Sequence, residues 1–437
     1  MGSNKKVEVL LRLILNIAGN VRFEKRHKVN EQVFTRERKL PFRTVLKLLL
    51  RKSVKSLQVV LNEWCENLDY EISASALSQA RRKLRHTAFI ELLEKSVVQV
   101  MYRVGEHQRY KGKRLLAVDG TSLRLPNTTD LRKKFGLVVH MQSKRQVIES
   151  NQVEAKATVL YDVLNEIPIS ADLAPGRKSD LFASRVHLKH LKANDVVIAD
   201  RGFGSYQFFA EILANKADFL IRLRKNAFSK YHKLSNTSDI KECTIELARP
   251  YHLRKVADVP ASIVIRFLLI HLDNGELEYL ATSLTDIKMF PYEEFKKLYY
   301  KRWGIETYFH VLKSHLTIDN FTGKSVEAIL QDFHSTIFVS GLETIISAQA
   351  NQQLAGKNTQ YKQKVNKAIA FHTIKNKVVK LIFDMPPDAL EQIQKLFLQT
   401  PTLIRPNKPK PPRTPSAIDN KIRNSLYFQR YARKHVF

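Results

Sequence analysis

Residues 113–126 read KRLLAVDGTSLRLP and residues 194–209 read NDVVIADRGFGSYQFF, and these two stretches decide the fold. Each contains a short apolar run of the kind that forms a buried strand, followed by an aspartate, Asp119 or Asp200. A carboxylate beside a buried strand is costly unless a positive group meets it. A turn explains either aspartate alone, but two such strands together indicate a site for divalent cations with oxygen ligands.

A third charged motif lies downstream, in the stretch YYKRWGIETYFHVLK at residues 299–313. Four of its residues have the spacing Tyr-x2-Arg-x3-Glu-x6-Lys: Tyr299, Arg302, Glu306 and Lys313. On a helix that turns by about 100° per residue, these side chains fall within an arc of roughly 60°. Such a stripe alone is more often a salt-bridged surface. Beside the two aspartates it predicts phosphodiester chemistry on DNA, because a carboxylate suits a metal ion and the cations and phenol suit phosphate oxygens.

The three motifs together resemble the DDE transposases of bacterial insertion sequences, of the insertion-sequence-family-4 type. The resemblance covers roughly residues 110–325 and rests on DGT around Asp119, DRGF around Asp200 and the four-residue spacing around Glu306. It implies that these three carboxylates are catalytic and hold two Mg²⁺ ions, with Mn²⁺ as a substitute and no other cofactor. It also implies that three further residues contact DNA: Tyr299, Arg302 and Lys313.

The same resemblance implies a transposase that binds terminal inverted repeats, cleaves the element ends through a hairpin and joins the 3′-hydroxyl ends to target DNA. The expected partners are double-stranded DNA, at both the transposon ends and the target, and a second copy of the chain in a homodimer on DNA. One alternative is an RNase H-fold nuclease, which shares the acidic triad but needs no Tyr-Arg-Lys register. Another alternative is a decayed transposase that only binds DNA. Such decay predicts the loss of at least one acidic ligand, but Asp119, Asp200 and Glu306 are all present.

The order of patterns along the chain predicts an α/β protein with an RNase H-like core. The predicted strands are, in chain order, 114–123, 153–163, 166–173, the strand before Asp200, and 218–223. Helices are predicted around 179–191 and 205–214, on either side of the Asp200 strand. In the RNase H-like fold the first and fourth strands are neighbours, which brings Asp119 and Asp200 side by side.

Five parts of the chain are predicted. They are an N-terminal helical DNA-binding domain at 1–108, the RNase H-like catalytic core at 109–224 and 287–325, a β-rich insertion at 225–286, a C-terminal helical region at 326–404 and a basic, proline-rich tail at 405–437. In the first part, Ser73 or Ser75 is predicted to cap a helix. In the catalytic core, Pro291 is predicted to open the helix that carries Glu306. The exposed face of the Ser73 helix is predicted to carry four basic residues: Arg81, Arg82, Lys83 and Arg85. This face is predicted either to contact DNA or to be an ordinary solvated surface.

Composition favours a polyanionic partner. The 437 residues include 73 Lys and Arg against 42 Asp and Glu, a formal net charge of +31, which makes salt-sensitive nucleic-acid binding the default expectation over a ribosomal or membrane-surface role. Hydrophobic residues make up 44% of the chain, which argues for a packed protein and against a disordered basic arm.

No apolar stretch reaches the roughly 18 residues that a membrane span needs, and the N-terminal VEVLLRLILNIAG predicts an amphipathic helix. Two distant cysteines fit a reducing cytoplasm, and the charge fits association with a bacterial nucleoid.

Overall fold

The computed structural model describes residues 2–405, apart from 37, 53–54, 144–145, 226, 228–240, 257, 274 and 380–388. The chain divides into two compact units, one formed by residues 1–105 with 311–437 and the other by residues 106–310. The predicted basic tail lies outside the described residues from 406 onward. The finer division into five parts stays a prediction.

The unit of residues 106–310 is built on one mixed sheet, to which nine described strands belong. They are β1 Arg114–Leu125, β2 Leu137–Ser143, β3 Gln146–Asp162, β4 Ile167–Pro175, β5 Asp195–Ala199, β6 Asp218–Arg222, β7 Glu242–Ala248, β8 Ser262–His271 and β9 Leu277–Thr282. β1 pairs antiparallel with β3 and parallel with β5, while β3 pairs antiparallel with β4 and β5 pairs parallel with β6. The resulting core order, β4-β3-β1-β5-β6, is that of an RNase H-like fold, so the predicted fold class is confirmed.

The central strands form because their side chains are buried on both faces. All five residues of β5, DVVIA, are buried, as are the first five of β1, and continuous apolar runs are typical of strands covered by helices on both sides. On one face, Leu115 of β1 and Ile198 of β5 pack in one apolar cluster with Leu298 and Tyr299 of the helix Tyr292–Tyr300. This cluster attaches that helix to the middle of the sheet.

The strands predicted as a β-rich insertion continue the same sheet. β9 pairs antiparallel with β6, and β8 and β7 follow beyond it. The turn between β8 and β9 contains Gly275, whose φ of 81° lies in the left-handed region that favours glycine. Beyond β6, the sheet therefore grows by antiparallel strands added to its parallel edge.

The other unit is helical over most of its described length. Its N-terminal helices are Gly2–Gly19, Val21–His27, Phe42–Leu50, Leu57–Cys65, Ala74–Arg81 and Thr87–Leu92, the last continuing through the π-helical turn Leu93–Val98 into Gln99–Arg103. Ser73 caps its predicted helix, since its hydroxyl accepts a hydrogen bond from Ala76 N at 3.1 Å.

The C-terminal part of this unit is organised by one long helix, Val326–Ala355. Side chains on all sides of this helix are buried for most of its length, as in the centre of a bundle. Three shorter elements follow among the described residues: Lys367–Thr373 with the π-helical turn Ile374–Val378, Ala389–Gln399, and a two-stranded ribbon of Lys362–Lys364 with Thr402–Ile404. Within the described part of the chain, no helix combines the length and apolar character that crossing a membrane requires.

Candidate active site

Asp119 and Asp200 lie level with each other on neighbouring parallel strands. Ala117 of β1 is aligned with Ile198 of β5, so two further residues along each strand place the aspartates opposite each other. Strand alternation puts both on the sheet face that the cluster around Tyr299 covers. Asp119 lies inside β1, which continues to Leu125. Asp200 directly follows β5 and accepts a hydrogen bond from Gly202 N at 2.8 Å.

The Tyr-Arg-Glu-Lys motif does not lie on one helix, and that prediction was wrong. Tyr299 belongs to the helix Tyr292–Tyr300, which Pro291 opens, while Glu306 and Lys313 belong to a second helix, Trp303–Ser314. Arg302 lies in the turn between the two helices, where successive backbone hydrogen bonds span three residues instead of four.

The two helices contact different parts of the sheet. A Cβ on Gly304, at the start of the second helix, would lie 3.3 Å from a methyl group of Val163, so this helix approaches the end of β3 closely. Further along it, Tyr308 stacks on Tyr161 of β3 with ring centroids 4.4 Å apart. The first helix packs against β1 and β5 instead. A single helical wheel cannot represent two helices that pack against different strands.

Arg302 and Glu306 form an ion pair, with Nη1 of the arginine 2.7 Å from Oε1 of the glutamate. The Arg302 guanidinium is buried between aromatic rings, 5.7 Å from the ring centre of Tyr299 and 5.1 Å from that of Trp303. Burial acts to lower the pKa of Arg302, but Tyr299, Glu306 and Asp119 raise it above its ordinary value. Among the described residues, Arg302 Nε has no hydrogen-bond partner.

Tyr299 and Lys313 lie in opposite environments. The Tyr299 side chain is 5% exposed, and its burial raises the pKa of the phenol above its usual range. Lys313 is exposed, about two turns beyond Glu306 on the second helix. Of the three predicted DNA contacts in the motif, only Lys313 therefore has its side chain at the surface.

The carboxyl group of Asp119 is held in an unfavourable environment for its ionised form. Burial is the main cause that raises the pKa of Asp119 to about 6, and the charges of Asp200 and Asp180 act in the same direction. The backbone N–H of Gly120, 2.8 Å from Asp119 Oδ1, and the Arg302 guanidinium oppose this shift. The net effect is an excess of negative charge at the centre of the sheet face.

This donor set fits a divalent cation at the two aspartates. Carboxylate oxygens are the ligands that Mg²⁺ and Mn²⁺ prefer, and a cation would offset the repulsion between Asp119 and Asp200. The described residues nevertheless contain no group of three or more His, Cys, Asp or Glu side chains close enough to hold a metal ion. The structure therefore brings Asp119 and Asp200 together, while the third predicted ligand, Glu306, is bonded to Arg302.

Asp180 is a further acidic residue of this region that the sequence patterns did not reveal. Its carboxylate oxygen lies 2.1 Å from the place that a Cβ on residue 120 would occupy, so a larger residue than Gly120 would require the Asp180 carboxylate to move. Lys156 Nζ lies 3.2 Å from the same oxygen. The only local signal is Ser179-Asp180 at the start of the helix Asp180–Ser184, which indicates a helix cap and nothing more.

Arg81 was predicted on an exposed DNA-contacting face, and this prediction was wrong. The side chain is 4% exposed and forms an ion pair with Asp332 at 2.8 Å. Its guanidinium also donates to the side chains of Gln331 and Thr322, each at 2.8 Å, and to the carbonyl of Ala328 at 3.0 Å. Arg81 is thus a structural contact to the long C-terminal helix.

The other three basic residues lie beyond the end of the helix Ala74–Arg81. Arg82 and Arg85 are exposed and Lys83 is half-buried. They follow the helix C-terminus in a turn that returns to residues 27–29, where Arg85 N donates to His27 O at 2.8 Å. The predicted basic surface therefore consists of Arg82, Lys83 and Arg85, on a turn and not on a helix face.

The fold and the site together define an RNase H-like protein with an acidic site suited to phosphodiester chemistry. Residues 110–342 match the family described as "Transposase DDE domain". Since that match spans more than half of the chain, the protein belongs to the transposase DDE domain family.

Individual relatives are distant. The chain is 22% identical over 276 residues to the "Transposase InsG for insertion sequence element IS4" of Escherichia coli (strain K12), a match that covers 62% of this chain and 60% of the relative. A second relative, also described as a transposase, from Sinorhizobium fredii, is 26% identical over 206 residues, covering 45% of this chain and 54% of the relative. The chain thus spans less than two thirds of the length of these relatives.

A solved structure similar to this chain is the piggyBac transposase synaptic complex with hairpin DNA. Its TM-score is 0.41 at 12% sequence identity, and the similarity covers 95% of this chain and 87% of that chain.

Proposed function

We propose that the protein is a DNA transposase of the insertion-sequence-family-4 type, which cleaves the ends of its element and joins them to target DNA. One observation carries the proposal: Asp119 and Asp200 are level on one face of neighbouring parallel strands, in a chain of the transposase DDE domain family. The similarity to the relative from insertion sequence element IS4 supports the subfamily. The motif around Arg302 and Glu306, next to this face, supports phosphoryl transfer.

Asp119 and Asp200 would hold the divalent ions, Mg²⁺ or in its place Mn²⁺, with Glu306 as the third ligand. Transposase DDE domains generally use divalent metal ions. When bound, such ions activate the attacking oxygen and stabilise the leaving oxygen of an in-line displacement. Before that, the Arg302 guanidinium holds the Glu306 carboxylate by an ion pair.

The reaction consists of successive displacements at phosphorus. Water attacks a phosphodiester at the element end, a new P–O bond forms and the P–O3′ bond breaks, which leaves a 3′-hydroxyl and a 5′-phosphate. That hydroxyl attacks the opposite strand to give a hairpin, a second water opens it, and the restored 3′-hydroxyl attacks a phosphodiester of the target. Each step exchanges one P–O bond for another, so no oxidant or energy-rich cofactor is needed.

The chain also offers positive groups for the DNA backbone. Lys313 is exposed, as are Arg82 and Arg85 in the helical unit, so these cations lie where a DNA phosphate can reach them as point charges. Arg302 Nε is a buried donor available to an acceptor that enters the site. Two element ends must be held for joining, so we propose that two copies of the chain act together on double-stranded DNA.

The test is strand cleavage by the purified protein, with Mg²⁺ or Mn²⁺, on labelled DNA that carries the flanks of its own gene. We expect cuts at terminal inverted repeats, with hairpin ends, and none from Glu306→Gln, which removes a ligand without adding bulk. Glu293→Gln, an exposed change on the preceding helix, serves as the matched control and retains cleavage.

Two other outcomes would contradict the proposal. Cuts in branched or unrelated DNA with no preference for the repeats would indicate a nuclease. Binding of the repeats without any cleavage by the unaltered protein would indicate a DNA-binding protein derived from a transposase.

A further inference from the structure

Two large apolar side chains are exposed on the two short helices that connect β4 to β5, Asp180–Ser184 and the 3₁₀ helix Arg185–His190. Phe182 is 51% exposed and Val186 is 39% exposed. A single exposed apolar residue is common on a protein surface and needs no explanation. These two, however, are four positions apart, which places them side by side along the helical segment.

The opposite side of these helices is anchored to the sheet. His187 is 1% exposed, and its two ring nitrogens each lie 3.0 Å from a hydroxyl group, that of Ser170 on β4 or that of Thr158 on β3. Thr158 is aligned with Gly120, the residue after Asp119, so strand alternation puts the helices on the sheet face opposite to Asp119. The exposed apolar pair therefore lies outside the acidic site, on the other face of the same strands.

A lysine follows the apolar pair at each end. Lys178 lies four positions before Phe182, with its Nζ 4.4 Å from the centre of the phenyl ring. Lys189 lies three positions after Val186, which is one turn of the 3₁₀ helix, so these two side chains point the same way. Both lysines are exposed, and neither has an anionic partner in the part of the chain that the structure describes. The four residues form one exposed row, which we call the Phe182 row.

The charge around the Phe182 row favours a polyanionic partner. Residues 177–192 contain five Lys and Arg against one Asp. That carboxylate, Asp180, lies 3.2 Å from Lys156 Nζ, so it is paired outside the row. Cations on both sides of an apolar centre fit duplex DNA. The cations hold backbone phosphates, and the apolar side chains press between base pairs from the minor groove.

We propose that the Phe182 row binds target DNA, an assignment that rests on the proposed transposase function. Lysine contacts to phosphates fix position without reading sequence, and the row consists of Lys, Phe and Val only. Such a surface suits a target of variable sequence better than an element end of fixed sequence. The row also begins near the acidic site, because Asp180 lies against Gly120, the residue after Asp119.

The first arm of the test measures binding of the full chain to a labelled duplex without the element's repeats and without divalent metal, so that it does not depend on cleavage. Phe182→Ala should weaken binding roughly 10-fold with an unchanged salt slope, because the lost contact is uncharged. Phe182→Leu should retain the affinity, since leucine also serves as a wedge between base pairs.

The lysines are tested in the same assay. The double variant Lys178→Gln/Lys189→Gln should reduce the slope of log Kd against log salt by about 2, one for each phosphate contact. The matched control, Lys133→Gln/Lys134→Gln, removes the same charge from exposed positions of the helix Thr129–Phe135 and should leave the slope unchanged.

The second arm measures joining of precut element ends to an unrelated duplex, with Mg²⁺. Phe182→Ala should reduce joining roughly 10-fold more than it reduces cleavage of the element ends. Equal losses in the two reactions would overturn the assignment to target DNA. If the unaltered protein neither cleaves nor joins, the proposed function fails, and the first arm alone decides whether the row binds DNA.

Two results of the first arm would overturn the Phe182 row as a DNA-binding surface. One is that Phe182→Ala and the double lysine variant bind the duplex as Phe182→Leu and the lysine control do. The other is that Phe182→Ala changes the oligomeric state of the free protein and leaves its duplex affinity unchanged, which would make the row an interface between protein chains.

Discussion

Arg81 in the helical unit and Asp119 in the sheet are both buried charges, but they are satisfied in different ways. Every side of the Arg81 guanidinium meets an acceptor from the long C-terminal helix or the segment before it, including the carboxylate of Asp332. Asp119 instead faces a second aspartate, and burial raises its pKa to about 6. The first site is complete within the chain, whereas the second has excess charge of one sign.

This difference distinguishes buried charges that stabilise the fold from buried charges that belong to a ligand-binding site. A complete internal network contributes to folding stability, and losing one member leaves the rest uncompensated. A network of buried charges that is not balanced within the chain lowers folding stability. Ligand-binding and catalytic sites are often of this kind.

The largest expected effect is on cleavage, from Asp119→Asn and Asp200→Asn. Each should reduce DNA cleavage roughly 10⁴-fold, because residues that act as one unit lose most of their function together. For the same reason the double variant should be no worse than either single one. In the absence of metal, the Tm of Asp119→Asn should equal or exceed that of the unaltered protein, since a disfavoured charge is removed.

Strand-cleavage rates and thermal unfolding of the three variants check this prediction. Two results would mean that the two aspartates are structural residues like Asp332. One is a loss of cleavage in the double variant equal to the product of the two single losses, and the other is a clear fall in Tm for Asp119→Asn.

A smaller effect is expected on stability, from Arg81→Met. It should lower the free energy of unfolding of the helical unit by about 3–5 kcal/mol, because the Asp332 carboxylate is left buried without its partner. Arg82→Met, an exposed change at the next position, should stay within about 0.5 kcal/mol of the unaltered protein. Denaturant unfolding of both variants gives the comparison, and equal stabilities would show that Arg81 is not part of a complete network.

The smallest effect is expected on DNA affinity, from Arg82→Ala and Arg85→Ala. Each should weaken duplex binding uniformly across sequences and reduce the slope of log Kd against log salt by about 1. The cause is the loss of one phosphate contact on the basic turn. Arg12→Ala is the exposed control. Titrations at several salt concentrations decide the matter, and unchanged slopes would make this turn an ordinary solvated surface.

The core strands and the position of the aspartates were predictable because their signals are local. The apolar runs before Asp119 and Asp200 determine two buried strands, and the order of strands and helices then makes those strands neighbours. The predicted strand 114–123 is β1, which in the structure continues two residues further, to Leu125. Burial of the apolar run is visible in the sequence, but the end of a pairing depends on the partner strand.

The burial of Arg81 and the break after Tyr300 were not predictable, because their causes are distant in sequence. Gln331, which bonds Arg81, lies 250 positions away, so the periodicity around Arg81 cannot distinguish a buried arginine from a solvated one. Likewise, the second helix of the motif is set by contacts of Gly304 and Tyr308 with β3. Helical periodicity describes one helix against one surface, and here there are two.

The most direct test of the acidic site is Mn²⁺ binding by the purified protein without DNA, measured by electron paramagnetic resonance. If Asp119 and Asp200 hold the divalent ions, the unaltered protein binds Mn²⁺, and Asp119→Asn and Asp200→Asn each lose at least about tenfold in affinity. Glu293→Gln should bind as the unaltered protein does. Equal Mn²⁺ affinity in all four proteins would show that the two aspartates do not form the metal site.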